Sequence, residues 1–141
     1  MEISPEIAKK NILIVEDAIS MRHTIKASLR KQGFSSLIEA GDGEHALKLM
    51  KSKNINLAIC DWMMPKMSGP ELFKAIQSNE KYKNLPFILL TGNDQKDSVT
   101  EALKIGIKHY VVKPFNPQKL SAKVFDLLQE QINMRAEKVT S

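Results

Sequence analysis

The 141 residues carry 21 lysines and arginines against 16 acids, a formal charge of +5, and a single cysteine, Cys60. One domain's worth of chain with one thiol excludes an internal disulfide framework and a multi-cysteine zinc site, and a reducing, cytoplasmic setting is the expectation. No apolar run approaches the roughly 20 residues of a membrane helix, Met1-Glu2-Ile3-Ser4-Pro5 lacks a signal peptide's basic and apolar regions, and no long basic block or aromatic stacking motif accompanies the charge, so neither membrane nor nucleic acid is an expected partner.

Short apolar runs alternate with stretches of helical period. Asn11–Val15 is a compact apolar strand. Met21, Ile25 and Leu29 then recur at a spacing of four, with Arg22, Lys26 and Arg30 on another face, which predicts an amphipathic helix stopped near Gly33. Residues 34–39 read as a weaker second strand. Gly41-Asp42-Gly43 is a turn, and Asp42 caps a helix running to about Lys51. Residues 55–60 form the third strand. Ser68-Gly69-Pro70-Glu71 has capping-box spacing, and Leu72, Phe73 and Ile76 give the following helix its apolar face. Residues 87–90 are the fourth strand, and Val99, Ala102 and Leu103 are expected to face inward from the next helix. Residues 108–112 are the fifth strand. Asn116-Pro117 opens a last helix lined by Leu120, Val124 and Leu127.

Five strands alternating with five helices predict an α/β domain with a parallel sheet, and the nearly all-apolar strands agree, since parallel strands are covered on both faces. The expected domain spans 10–133, with frayed tails at 1–9 and 134–141.

The polar residues fall where strands end. Glu16 and Asp17 follow the first strand, Asp61 the third, Thr91 the fourth and Lys113 the fifth. A parallel sheet gathers all of its carboxyl ends on one edge, where ligands bind. Three carboxylates held close together resist ionising unless a hard divalent cation joins them. Asp61 is then a plausible nucleophile toward phosphorus, with Mg²⁺ and Lys113 neutralising charge and Thr91 donating a hydrogen bond.

These residues sit in the stretches NILIVEDAISMR, EAGDGEHAL, CDWMMPKMSG, LPFILLTGN and GIKHYVVKPF, which together span about residues 10–130. They resemble the receiver domains of two-component response regulators, and among them the CheY-like chemotaxis regulators. The resemblance implies a flavodoxin-like (βα)5 doubly wound sheet of strand order 2-1-3-4-5. It implies Asp61 as phosphoacceptor and Glu16 and Asp17 as the acidic pair for Mg²⁺, with Asp17 the more direct ligand and the Met63 backbone carbonyl completing the set. Thr91 and Lys113 would contact the phosphoryl group, and the Lys113-Pro114 bond would be cis. Thr91 and Tyr110 would form the switch pair, and Lys96, Val99, Tyr110 and Lys123 the partner face on the fourth helix, fifth strand and fifth helix. The implied phosphodonor is a CheA-like histidine kinase. The implied partner is a flagellar switch or another effector protein, with the chain a monomer or a phosphorylation-dependent dimer.

Three positions depart from the CheY pattern, and at the first of them Glu16 keeps a carboxylate where an aspartate is usual. Met63 stands where an asparagine is usual and Asn93 where a glutamate is usual. Both flank the route of the hydrolysing water, so a slower phosphate loss is expected. The chain reads as a signalling switch rather than an enzyme with a turnover substrate. A phosphorelay shuttle is the alternative. A haloacid-dehalogenase-like phosphatase would carry Asp-x-Asp, whereas Met63 follows Asp61 by two. His23, His45 and His109 show no ligand spacing, and Cys60 is expected to be buried and inert.

Overall fold

The structure is a computed structural model that describes residues 3–92 and 96–140. Its sheet is built from the apolar runs. β1 (Asn11–Val15) buries every residue after Asn11, and β3 (Leu57–Asp61) is buried throughout. β4 (Phe87–Gly92) is buried except at its end. β2 (Ser36–Ala40) and β5 (His109–Lys113) are more exposed because they form the two edges. All strands pair in parallel, in the order β2-β1-β3-β4-β5. This is the flavodoxin-like doubly wound order.

Alternate residues of the central strands face opposite cores. Leu13, Val15, Ala58, Cys60 and Leu89 pack with side chains of α3 (Gly43–Ser52), α4 (Gly69–Gln77) and α5 (Lys96–Lys104). Ile12, Ile14, Leu57, Ile59 and Ile88 pack with α2 (Ile19–Lys31) and α6 (Pro117–Thr140). Helices on both faces explain why the middle strands need no polar alternation.

The helix boundaries follow local chemistry. Asp42 accepts from the His45 backbone N–H at 2.8 Å and opens α3. Ser68 and Glu71 form a complete capping box on α4, with Pro70 in its first turn. α2 closes with the Gly33 N–H on the Arg30 carbonyl and the Phe34 N–H on the Leu29 carbonyl. That closure needs a left-handed residue, and Gly33 has φ +109°.

Several expectations are corrected. Residues 1–9 are not a frayed tail throughout: α1 (Pro5–Ala8) is capped by Ser4, and Ile7 is buried in the core cluster that also holds Phe34, Leu127 and Leu128. The other tail is helical, since α6 continues through residue 140. Leu103 does not face inward. It is 53% exposed, whereas its neighbour Ala102 is buried. The core-facing position of α5 is taken by Ala102, which joins the cluster on that face of the sheet. β2, β3 and β5 begin one or two residues later than predicted and end one later, while β4 runs two residues further. Asp61, Thr91 and Lys113 are therefore strand residues, held by ladder hydrogen bonds rather than by loops.

Candidate functional site

The strand order reverses between β1 and β3, and the crevice at their carboxyl ends is where an open α/β sheet places a ligand. Glu16 is the first residue beyond β1, and Asp61 is the last of β3. One carboxylate oxygen from each of Glu16, Asp17 and Asp61 lies within 4.8 Å of the other two. The structure therefore gathers the three acids named from the sequence.

Their environments differ. Asp17 is exposed, Asp61 is 8% exposed and Glu16 only 2%. The Glu16 backbone N–H donates to the Ala40 carbonyl at 3.1 Å, tying the residue to the end of β2. Its Oε2 is buried with no hydrogen-bond partner. Burial, and then the charge of Asp61 and a side-chain hydrogen bond with it, push the Glu16 carboxyl up to about 7 against the opposing Lys113 ammonium. An orphaned carboxylate oxygen beside two more acids fits a hard cation that takes oxygen ligands and keeps several waters. Cys60 is no candidate ligand: it is fully buried and its thiol is pushed far up by that burial.

Asp61 Oδ1 accepts from Lys113 Nζ at 2.7 Å and from the Trp62 backbone N–H at 3.0 Å. Lys113 arrives there as the last residue of β5, followed by a cis bond to Pro114. Thr91 lies on β4 between them and is 1% exposed. Its register partner on β5 is Val112, two residues from Tyr110. Thr91 and Tyr110 therefore share one face of the sheet. Tyr110, on the edge strand β5, is 39% exposed.

The loop from Trp62 to Ser68 shapes the other side of the site. Met63 is 67% exposed, so its side chain stands in solvent rather than packed into the domain. The loop returns through the Gly69 N–H, which donates to the Trp62 carbonyl at 2.8 Å. A Cβ at Gly69 would lie 2.6 Å from the Asp61 carbonyl oxygen, so only glycine permits this approach. From the sequence, Gly69 reads only as part of a helix start. The Trp62 N–H donor has no side-chain signal at all.

Of the remaining expected positions, Val99 and Lys123 are half-buried, on α5 and α6 respectively. The Lys96 side chain and Asn93 lie outside the described residues. His23 and His45 are exposed and His109 half-buried, with no metal grouping around them among the described residues. No described helix is long and apolar enough to cross a membrane.

The family model described as the response regulator receiver domain matches residues 12–125. Chemotaxis protein CheY of Pseudomonas aeruginosa is 40% identical over 122 residues, which cover 86% of this chain and 98% of that protein. The structure of Vibrio cholerae chemotaxis protein CheY4 superposes with a TM-score of 0.78 at 30% identity, covering 84% of this chain and 98% of that one. A receiver domain of a Pseudomonas aeruginosa sensor histidine kinase, solved with a magnesium ion coordinated in its active-site cleft, gives a TM-score of 0.78 at 25% identity, covering 86% of this chain and 98% of that one. With a family model spanning most of the chain and these relatives alongside, the chain belongs to the response regulator receiver domain family.

Proposed function

We propose that this response regulator works as a chemotaxis-type switch in which Asp61 takes a phosphoryl group from a histidine kinase with the help of Mg²⁺. The observation that carries this reading is the orphaned, buried Glu16 oxygen beside Asp17 and a lysine-paired Asp61. Glu16, Asp17 and Asp61, with the Met63 backbone carbonyl, are the residues that would hold the cation. When bound, Mg²⁺ supplies positive charge beside the transferring group.

The chain's own residues account for the remaining chemistry. An Asp61 carboxylate oxygen attacks phosphorus, a P–O bond forms, and the P–N bond to the donor imidazole breaks with its electron pair returning to nitrogen. Lys113, already 2.7 Å from Asp61, follows the charge onto a phosphoryl oxygen. The Thr91 hydroxyl donates to another. Loss of the group is a hydrolysis: water attacks phosphorus, the P–O bond to Asp61 breaks with its electron pair returning to the carboxylate, and inorganic phosphate leaves carrying the water's oxygen and protons.

Drawing Thr91 toward the phosphoryl group frees space on the face that Thr91 shares with Tyr110. Inward rotation of Tyr110 would then change the surface of α5, β5 and α6, where Lys96, Val99 and Lys123 also lie. An effector protein that prefers the altered surface completes the switch. A phosphorelay shuttle is not favoured, because a curated relative matched over nearly its own whole length, at 40% identity, is a chemotaxis protein, as is the Vibrio cholerae structure.

The test is Trp62 fluorescence during addition of Mg²⁺ and then a small-molecule phosphodonor. The reading expects a donor response in wild type and none in Asp61→Ala. An equal response in both removes Asp61 as the acceptor.

A further inference from the structure

The peptide between Glu16 and Asp17 fixes how the two acids project, and its carbonyl is held from outside the site. Arg22, in the first turns of α2, donates through Nη1 to the Glu16 carbonyl oxygen at 2.8 Å. Its Nε donates to Glu39 Oε1 at 3.1 Å. Glu39 lies on β2, and its other oxygen accepts from Lys26 Nζ at 2.9 Å. Since the Glu16 N–H is already bound to the Ala40 carbonyl, both polar groups of the Glu16 backbone are anchored to β2, one directly and one through Arg22.

We propose that Arg22 is a positioning residue for the acidic site: it holds the Glu16–Asp17 peptide plane through the Glu16 carbonyl, and Glu39 holds Arg22. The inference rests on the reading of Glu16 and Asp17 as cation ligands. A carbonyl free to turn would let the peptide plane rock, and both carboxylates would lose their common focus. A planar guanidinium suits this task, because Nε and Nη1 serve two acceptors at once in fixed geometry. A lysine at position 22 serves one of them. The partly buried setting keeps the pair from being a merely solvated contact, with side-chain exposures of 17% for Arg22 and 25% for Glu39.

The Arg22–Glu39–Lys26 chain also ties α2 to the edge strand, so the experiment must separate positioning from stability. Mg²⁺ affinity is measured by Trp62 fluorescence, and melting temperature by circular dichroism, for wild type, Arg22→Met, Arg22→Lys, Glu39→Gln and Lys26→Met. Loss of an outer contact to a metal site costs about tenfold or more in affinity. Arg22→Met is expected to weaken Mg²⁺ binding by about that factor, Glu39→Gln by less, and Arg22→Lys to recover part of the loss. Lys26→Met breaks the other arm of Glu39 and should leave Mg²⁺ affinity unchanged while lowering the melting temperature, by less than Glu39→Gln, which weakens both arms. Unchanged affinity in both Arg22→Met and Glu39→Gln overturns the positioning role. So does an equal loss in Lys26→Met. A wild type that does not respond to Mg²⁺ at all overturns the cation reading, and the positioning role falls with it.

Discussion

Lys113 reaches across β4 to place its ammonium 2.7 Å from Asp61 Oδ1, joining the ends of two strands that are not neighbours. The pair is half-buried, with side-chain exposures of 25% and 12%, so solvent screens it less than a surface ion pair. The ammonium is therefore in place before any phosphoryl group arrives. Lys113→Met should slow phosphorylation by a small donor roughly a hundredfold to a thousandfold, in line with loss of a charge-stabilising donor. The time course of the phosphoryl adduct by intact mass measures it. A wild-type rate in the variant would remove Lys113 from the chemistry.

Glu16 gives the apo protein a distinctive pH dependence. Its carboxyl rises from 4.5 to about 7 on folding, so the folded state holds the extra proton across that window. Stability from this group is fully present below 4.5 and is lost as pH rises through about 7. Urea unfolding without metal should therefore show wild type losing stability relative to Glu16→Gln over that range. Above it, Mg²⁺ should restore stability to wild type more than to the variant, because it binds the folded state. Parallel pH curves for the two proteins would contradict the burial argument.

Gly69 and Gly41 make a matched pair of tests. A methyl group at Gly69 would meet the Asp61 carbonyl at 2.6 Å and Leu89 Cδ1 at 2.9 Å, whereas at Gly41 the nearest atom is 3.6 Å away. Gly69→Ala should cost about 1–3 kcal/mol, the range for overpacking, and should slow phosphorylation by shifting the Asp61 backbone. Gly41→Ala should be close to neutral. Denaturant midpoints at a common slope decide the comparison.

Met63 stands in solvent two residues beyond Asp61, where a polar side chain would help to place water. Met63→Asn should shorten the phosphate lifetime severalfold, followed by mass after the donor is removed. An unchanged lifetime would show that position 63 does not govern water access.

The sheet was legible because its central strands are apolar on both faces, and the capping chemistry of Asp42 and of Ser68 with Glu71 marked its helices in advance. The acids, the hydroxyl and the amine were legible as a group because a parallel sheet collects strand ends. Leu103 was misread because helical period alone does not give the rotation of a short helix against its sheet. α1 was missed because its one buried apolar residue, Ile7, gains its place from a core cluster whose other members, such as Phe34, Leu127 and Leu128, are far off in sequence. Arg22 read as part of a charged helix face, since nothing local signals that its guanidinium reaches the Glu16 carbonyl.

The most direct test of the central claim is intact mass after exposure to excess small-molecule phosphodonor, with and without Mg²⁺, for wild type and Asp61→Asn. The account predicts a single phosphoryl adduct on wild type only when Mg²⁺ is present, and none on Asp61→Asn. An adduct that forms equally without Mg²⁺, or that persists in Asp61→Asn, would contradict it.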